Sequence, residues 1–366
     1  MSTLREILEE HVARGTVPGA VGVDGAPDGT LEIVRVGDLA PDAIVRIQSM
    51  TKPVLAAAVL RLVQSGRLGL DDPVETWLPE LADRVVLRHP AAALDEVEPA
   101  ERPITVRHLL TCTSGYGVVT APCPLQEAMA ADGTAAGLGP VTLGAAEWLR
   151  ALSDLPLAFQ PGTGWRYHHS FGILGILLSR VEAAGSRESL LSREIFGPLG
   201  MIDTGYTISA DKAHRLPAVH RRDGDGGLVQ VEPAADGFHV EPAPFDVSHS
   251  ELVSTAADYA AFARMLANGG RHDGGQFLAP ELVELMRTDQ VPASVKTPDS
   301  FFPGFWDGTG WGFGVSVRTE GEHAGRFGWA GGLGTYMFID RDASFRILLT
   351  QVEVGAEIAE LFDDVT

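Results

Sequence analysis

The stretch Ser49-Met50-Thr51-Lys52 stands directly before an apolar run, residues 53–63 (PVLAAAVLRLV), and is the most informative part of the sequence. The run favours a helix, which we expect to end at Ser65-Gly66, because glycine suits the left-handed position past a helix end. Residues three apart share one face of a helix, so the Lys52 amine can reach the Ser49 hydroxyl. A serine hydroxyl becomes a good nucleophile when a base takes its proton. The pair is therefore a candidate nucleophile and base, and a helix-capping serine beside a solvated lysine is the alternative.

The composition is that of a globular protein with two domains or subdomains. The chain has 366 residues, of which 45% are hydrophobic and 21% charged. Its formal net charge of -21 argues against nucleic-acid and anionic-membrane partners, whose phosphates demand a basic surface. No apolar stretch reaches the length of a membrane span. We therefore expect a soluble protein.

The first residues predict an amphipathic helix rather than a secretory signal. Thr3 and Glu6 have the spacing of a capping box, and no basic start precedes a long apolar run. Cytoplasm is therefore the expected location. Cys112 and Cys123 agree with it, because two cysteines in a chain of this length give no disulfide framework.

Strand patterns lie at both ends of the chain around a mainly helical middle. Residues 17–23 and 31–36 predict a hairpin, residues 51–196 are mostly helical, and strands are predicted at 311–318, 326–330, 335–339 and 345–351. A closing helix is expected at 356–362. The pattern predicts an α+β fold with one sheet built from both chain ends. We assign residues 1–47 and 248–366 to a discontinuous sheet domain and 48–247 to an inserted helical domain, with the active site between them.

A second candidate site is Trp165-Arg166-Tyr167-His168-His169-Ser170, which separates a Pro-Gly loop from a helical run. A tyrosine at such a helix start can present its oxygen to a cleft. Near a cationic lysine its phenol loses or shares a proton more easily than its ordinary pKa of about 10 allows. A core tyrosine bonded to backbone is the alternative. Adjacent histidines point to different helix faces and no metal-ligand pattern accompanies them, so we expect neither a metal nor a cofactor.

The third candidate is Gly328-Trp329-Ala330-Gly331-Gly332-Leu333-Gly334-Thr335, between two predicted strands. Small residues let a substrate approach the strand edge closely. A backbone N–H of this edge, with the N–H of Ser49, can stabilise the oxyanion of an acyl-transfer intermediate. A glycine bulge with only a packing role is the alternative. Phosphate binding is not predicted, because no G-x-x-x-x-G-K-[ST] motif is present.

These three segments, in this order, resemble the three motifs of the serine β-lactamase and penicillin-binding-protein superfamily. Within it the chain is most similar to class C β-lactamase-like esterases and related acyltransferases. The resemblance extends over nearly the whole chain through the connecting segments 70–74, 104–115, 196–201, 252–259 and 327–340. It implies the β-lactamase/transpeptidase-like fold, an antiparallel sheet flanked by helices with an inserted helical region.

The resemblance also implies a role for each motif. Ser49 would be the acylated nucleophile, Lys52 its general base and Tyr167 the group that relays a proton to the leaving group. The backbone N–H groups of Ser49 and Gly332 would form the oxyanion hole, next to Gly331. Lys52 must be neutral to accept a proton, so we expect burial and nearby positive partners to lower its pKa.

Two positions depart from the motifs of that superfamily. His169 stands where the middle motif usually has an asparagine whose amide helps to hold the lysine and the substrate. Trp329 stands where β-lactamases and transpeptidases have a lysine or histidine that helps to recognise a substrate carboxylate. The tryptophan form resembles the esterase branch, so neutral or apolar esters are the expected substrates.

We therefore predict a serine hydrolase that cleaves an ester through an acyl-serine intermediate. Tyr116, Trp306 and Trp311, with Trp329, are predicted to hold the apolar part of the substrate, and residues 291–310 to form a rim or lid loop. An acyltransferase that passes the acyl group to an amine or alcohol uses the same residues and stays open. β-Lactamase or D-amino peptidase activity and a non-catalytic binding role are the remaining alternatives, and the sequence gives no oligomeric state.

Overall fold

A sheet made from both ends of the chain organises the computed structural model, which describes residues 3–119, 121–137, 142–181, 187–240, 250–298 and 300–366. The strands are β1 (Gly19–Gly25), β2 (Leu31–Gly37), β3 (Val45–Arg46), β4 (Val85–Leu87), β5 (Val97–Pro99), β6 (Val219–Arg222), β7 (Leu228–Glu232), β8 (Val253–Ser254), β9 (Arg271–His272), β10 (Gly275–Gln276), β11 (Thr309–Trp311), β12 (Ser316–Arg318), β13 (Phe327–Gly331), β14 (Thr335–Ile339) and β15 (Phe345–Leu349). The helices are α1 (Leu4–Ala13), α2 (Thr51–Gln64), α3 (Val106–Leu110), α4 (Pro124–Ala131), α5 (Ala145–Asp154), α6 (His169–Val181), α7 (Arg187–Leu191), α8 (Gly197–Leu199), α9 (Ala256–Ala267), α10 (Pro280–Arg287) and α11 (Ala356–Asp364).

The main sheet has seven antiparallel strands in the order β11-β12-β13-β14-β15-β1-β2. β1 lies between β15 and β2, with Val21 opposite both Leu349 and Arg35. The amino-terminal hairpin therefore extends a sheet whose other strands come from the last sixty or so residues (about 309–349). The predicted α+β class, with one antiparallel sheet built from both chain ends, is confirmed.

Helices cover the two faces of the sheet because successive strand side chains alternate between them. α1 and α11 lie on one face, where Leu8 and Leu361 pack with sheet residues such as Ala20 and Leu348. The predicted capping box of Thr3 and Glu6 is present at the start of α1. On the opposite face α2 and α9 pack into the main core. All α2 residues from Thr51 to Leu60 are buried, which explains why this helix is apolar all round.

The helical middle of the chain is inserted between two short strands that pair with each other. β3 and β8 form an antiparallel ladder, with Val45 opposite Ser254 and Arg46 opposite Val253. The hairpins β4–β5 and β6–β7 also belong to this middle segment. We retain the division into 1–47 with 248–366 and 48–247 as a proposal, and its boundary at 247 lies outside the described residues.

The prediction of a single strand over residues 311–318 is wrong. β11 ends at Trp311 and β12 begins at Ser316, and the two strands form a hairpin. Gly314 turns the chain with φ +75, and a Cβ there would press on the Lys52 carbonyl oxygen and the Phe171 ring. The sequence suggested one strand because the glycines and apolar residues of this turn continue the two-residue alternation of its flanks.

In the described part of the chain no helix is both long enough and apolar enough to span a bilayer.

Candidate active site

Ser49 and Lys52 meet where a short 3-10 helix, Gln48–Met50, runs into α2. The Lys52 Nζ lies 2.9 Å from the Ser49 Oγ, which is hydrogen-bond distance and close enough for direct proton transfer. Gln48 has a left-handed φ of 50, a conformation that costs energy for a residue other than glycine. Tyr259 of α9 steadies the junction by donating its hydroxyl to the Met50 carbonyl at 2.8 Å. The predicted pair is thus brought together at a strained and well-supported turn.

Burial makes Lys52 suited to accept a proton. Its side chain is fully enclosed at 0% exposure, and removal from water lowers its pKa from 10.5 to about 7. The influence of Cys112 and Glu251 opposes this shift. The expected positive partners do not contribute, since none of the groups that act on Lys52 in the described chain is a cation. At neutral pH a large fraction of the amine is therefore uncharged.

Tyr167 lies against the Ser49–Lys52 pair. Its ring lies 4.7 Å from the Lys52 Nζ, and its hydroxyl hydrogen-bonds with Ser49. The Trp329 indole N–H donates to the same hydroxyl oxygen at 2.6 Å. The expectation of an easily ionised phenol is wrong, because burial raises the pKa of Tyr167 despite these two hydrogen bonds. Tyr167 is therefore a neutral phenol, suited to donate a proton rather than to act as a tyrosinate base.

The end of β13 lies against the turn that holds Ser49. Thr335 donates its hydroxyl to the Ile47 carbonyl at 2.9 Å. A Cβ on Gly331 would overlap both the Thr335 hydroxyl and the Ile47 carbonyl, so only glycine permits this approach. Gly331 and Gly332 line the cleft beside Ser49. That the N–H groups of Ser49 and Gly332 form an oxyanion hole stays a prediction, and the position of both residues in the cleft wall is compatible with it.

Ser250 is a site residue that the sequence did not reveal. Its hydroxyl lies 3.4 Å from the Lys52 Nζ and 3.5 Å from the Ser49 Oγ. The Ile47 N–H donates to the Leu252 carbonyl, and the Leu252 N–H to the Thr51 hydroxyl, so the segment before β8 is held beside Ser49. The available signal was its place just ahead of the recognisable segment 252–259, but nothing there indicates a contact with residue 49.

Ser49 and Tyr167 line an apolar cleft of about 610 Å³. Its wall combines polar groups near Ser49 with aromatic and aliphatic side chains, and consists of Gln48, Ser49, Val118, Ala136, Gly137, Tyr167, His168, Ser250, Phe301, Phe302, Trp329, Ala330, Gly331, Gly332, Val354, Ala359 and Phe362. Phe302, at 52% exposure, stands at the rim. No lysine or arginine of the described chain lines this cleft. The wall therefore suits an uncharged, largely apolar ligand.

The three aromatic residues predicted to hold the substrate lie behind or beside this wall. Trp311 is fully buried and packs edge-on against Trp329 at 4.7 Å between ring centroids. Trp306 packs on Trp165 and donates its indole N–H to Ser300. Tyr116 lines a separate small cavity, and burial raises its pKa to about 12. Of the predicted aromatic set, Trp329 alone is among the cleft residues, and Phe301 and Phe302 of the predicted rim loop join it.

His169 also lies away from the cleft. The imidazole is fully buried at the start of α6, and its Nε2 lies 2.7 Å from the Thr134 carbonyl oxygen. Its neighbour His168, held at a left-handed φ of 96, lines the cleft instead. The His169 side chain, predicted to support the site, therefore does not line the cleft directly.

Comparisons with known proteins give the family and the fold of the chain. The Beta-lactamase family model matches residues 4–356. Protein Rv1367c of Mycobacterium tuberculosis is 35% identical over 95% of this chain and 88% of that protein. Esterase EstB of Burkholderia gladioli is 30% identical over 84% of this chain and 77% of its own length. Among solved structures, EstCE1, a hydrolase with promiscuous acyltransferase activity, has a similar fold, with a TM-score of 0.80 over 98% of this chain and 96% of that chain at 22% identity.

This chain therefore belongs to the Beta-lactamase family. The predicted β-lactamase-like fold is confirmed, as is the general class of serine hydrolase with esterase and acyltransferase relatives.

The lowered pKa of Lys52 predicts how acylation depends on pH. Only the neutral amine accepts the Ser49 proton, and its fraction grows as the pH rises through a pKa of about 7. We expect the rate of Ser49 labelling by a fluorophosphonate to increase with pH and to level off above that midpoint. Stopped-flow labelling across a pH series measures it, with circular dichroism as a check on folding. A rate independent of pH through this region would contradict the role of Lys52.

Removal of the Ser250 hydroxyl tests whether it supports the reacting pair. Ser250→Ala should lower kcat for a nitrophenyl ester by about three- to tenfold, the usual worth of one hydrogen bond, with little change in KM. Ser179→Ala is the matched control, because the Ser179 hydroxyl donates to the Ile176 carbonyl of the same helix, α6. Equal kcat values for the parent and Ser250→Ala would show that Ser250 is a bystander.

Proposed function

We propose that this chain is a serine esterase that cleaves a neutral ester with a sizeable apolar part through an acyl-Ser49 intermediate. The observation that supports it is a buried, largely uncharged lysine amine 2.9 Å from a serine hydroxyl that opens into an apolar cleft. Such a hydroxyl is an activated nucleophile, and the cleft offers a carbonyl compound a place beside it.

The reaction follows from the positions of the three side chains. Lys52 takes the Ser49 proton as Oγ attacks the ester carbonyl, and the N–H groups of Ser49 and Gly332 face the developing oxyanion. Tyr167 donates its proton to the departing alkoxide and regains one from the Lys52 ammonium. Water then attacks the acyl-serine, giving up its proton by the reverse path, and the acid leaves as Ser49 recovers its hydrogen.

Trp329 has two tasks in this proposal. Its indole N–H donates a hydrogen bond to the Tyr167 oxygen at 2.6 Å. Because that oxygen is the acceptor, the Tyr167 hydroxyl proton is free to be donated to another group. Its ring also forms part of the apolar wall where β-lactamases and transpeptidases have a cation. With no lysine or arginine among the described residues of that wall, a substrate carboxylate gains nothing here, so an uncharged ester is favoured over a β-lactam or a peptide stem.

Transfer of the acyl group to an alcohol is the second candidate function. The cleft wall is mostly aliphatic and aromatic, so an apolar alcohol can compete with water for the acyl-serine. The similarity to Esterase EstB supports hydrolysis, and EstCE1 is a hydrolase with promiscuous acyltransferase activity, which supports acyl transfer as the second candidate. The partner is in either case a small-molecule acyl donor, and a cytoplasmic location stays a prediction.

Loss of the nucleophile provides the direct test of this proposal. Ser49→Ala should keep the fold and lose turnover of p-nitrophenyl esters, because it removes the hydroxyl that lies 2.9 Å from the Lys52 amine, while the Ser250 hydroxyl lies farther away at 3.4 Å. Intact-mass spectrometry of the parent with a slowly hydrolysed ester should show one added acyl group, absent from Ser49→Ala. Adding an alcohol such as butanol and measuring butyl ester formation distinguishes transferase from hydrolase. Undiminished hydrolysis by Ser49→Ala would remove Ser49 from the mechanism.

A β-lactam substrate tests the interpretation of Trp329. We expect nitrocefin, which has a carboxylate, to be hydrolysed at least about a hundredfold more slowly than p-nitrophenyl butyrate, because the wall offers that group no cation. Absorbance assays with both compounds at the same enzyme concentration measure the ratio. Comparable rates for the two would contradict the preference for uncharged esters.

A further inference from the structure

His169 is a buried titratable side chain close to the reacting groups, yet the mechanism above does not use it. It is two residues after Tyr167 and is the first residue of α6. Its Nε2 lies 2.7 Å from the Thr134 carbonyl oxygen. A carbonyl only accepts hydrogen bonds, so Nε2 holds the proton and the imidazole is the Nε2–H tautomer. Burial lowers the pKa of His169 to about 4, which keeps the ring neutral near neutral pH.

The accepting carbonyl belongs to a tightly folded turn after α4. The Thr134 N–H and hydroxyl both donate to Asp132, at 2.9 and 2.7 Å. The N–H groups of Thr134 and Ala135 also point to the Met129 carbonyl, at 3.0 and 2.9 Å. The next two residues, Ala136 and Gly137, form part of the cleft wall. A hydrogen bond to Thr134 therefore fixes the base of a segment that the substrate faces.

A face of the imidazole ring is also in contact with a neighbouring helix. It stacks on the Trp148 ring of α5, with 5.9 Å between centroids and 14° between planes. The ring therefore connects α6 with the turn after α4 and with α5. Asparagine, the usual residue of the resembling motif, ends one atom closer to the backbone and has no ring to stack. Glutamine, in contrast, places an N–H donor at the distance of the imidazole Nε2.

We propose that His169 is a positioning residue that fixes the Ala136–Gly137 wall of the cleft and so determines how large an ester is accepted. This inference rests on the esterase activity proposed above. In the resembling motif, an asparagine at this position contacts the lysine and the substrate. His169 instead has a role in the selection of substrate size. The neutral ring, donating to Thr134 and stacked on Trp148, acts through the wall and leaves the Ser49–Lys52 pair as it is.

Paired substrates measure this role. His169→Phe keeps an aromatic ring against Trp148 but loses the donor to Thr134, and His169→Gln restores an N–H at the same reach. His239→Phe is the matched control, since His239 is another buried imidazole that bonds a backbone carbonyl, at 3.2 Å from Tyr206, and does not line the cleft. For each protein we would measure kcat and KM for p-nitrophenyl acetate and octanoate, for 1-naphthyl acetate, and the rate of fluorophosphonate labelling, with thermal unfolding as a check.

The expected result is a split between small and large esters. For His169→Phe, KM for octanoate or naphthyl acetate should change by about five- to tenfold, in line with the loss of one hydrogen bond. The acetate kcat and the labelling rate should stay within about twofold, and His169→Gln should recover the parent selectivity.

Other outcomes contradict the inference. An equal loss for acetate, octanoate and labelling in a folded variant would mean that His169 acts on the reacting groups. Unchanged selectivity in both variants would mean that it has no role in the wall. If His169→Phe does not fold, His169→Asn replaces it, because its amide ends one atom short of the Thr134 carbonyl. Parent-like selectivity in a folded His169→Asn would contradict the inference. Failure of the esterase proposal itself is distinguishable, since the parent protein would then cleave none of these esters.

Discussion

Enclosure of the Lys52 amine one helical turn from the Ser49 hydroxyl is the constraint on which the rest of the structure depends. A buried ammonium is costly unless it is paired, and the cost is relieved when the amine gives up its proton. α2 achieves this burial by being apolar on every side. The β11–β12 hairpin closes the same region, because the Gly314 backbone lies against the Lys52 carbonyl. The chemistry of the site is thus a consequence of where the core places one amine.

Backbone contacts, more than side-chain contacts, bring the distant segments of the site together. The β3–β8 ladder places Ser250 beside the nucleophile, and Gly331 lets β13 approach Ile47 without a side chain between them. From that strand, Trp329 reaches Tyr167 and orients its phenol. Tyr167 in turn contacts Ser49, so that one chain of contacts connects both chain ends with the helical insertion.

The sequence predicted what depends on local pattern. The three-residue spacing of Ser49 and Lys52, the terminal strands and the resemblance of the three motifs led to the family and the fold. They also singled out Ser49, Lys52 and Tyr167, which the structure brings together. Ser250 was missed because a two-residue ladder leaves no recognisable pattern. The direction of the Tyr167 pKa shift and the places of Tyr116, Trp306 and Trp311 were not predictable, because they depend on burial and on which face of a ring meets the cleft.

A direct titration of the Lys52 amine tests the central claim. The chain has only three lysines, at 52, 212 and 296, so ¹³Cε-lysine labelling gives a spectrum in which the Lys52 signal is identified by its absence from Lys52→Gln. The account predicts that this signal titrates with a midpoint near pH 7, as burial requires. A Lys52 signal that stays that of an ammonium beyond about pH 9, close to the ordinary lysine range, would contradict it.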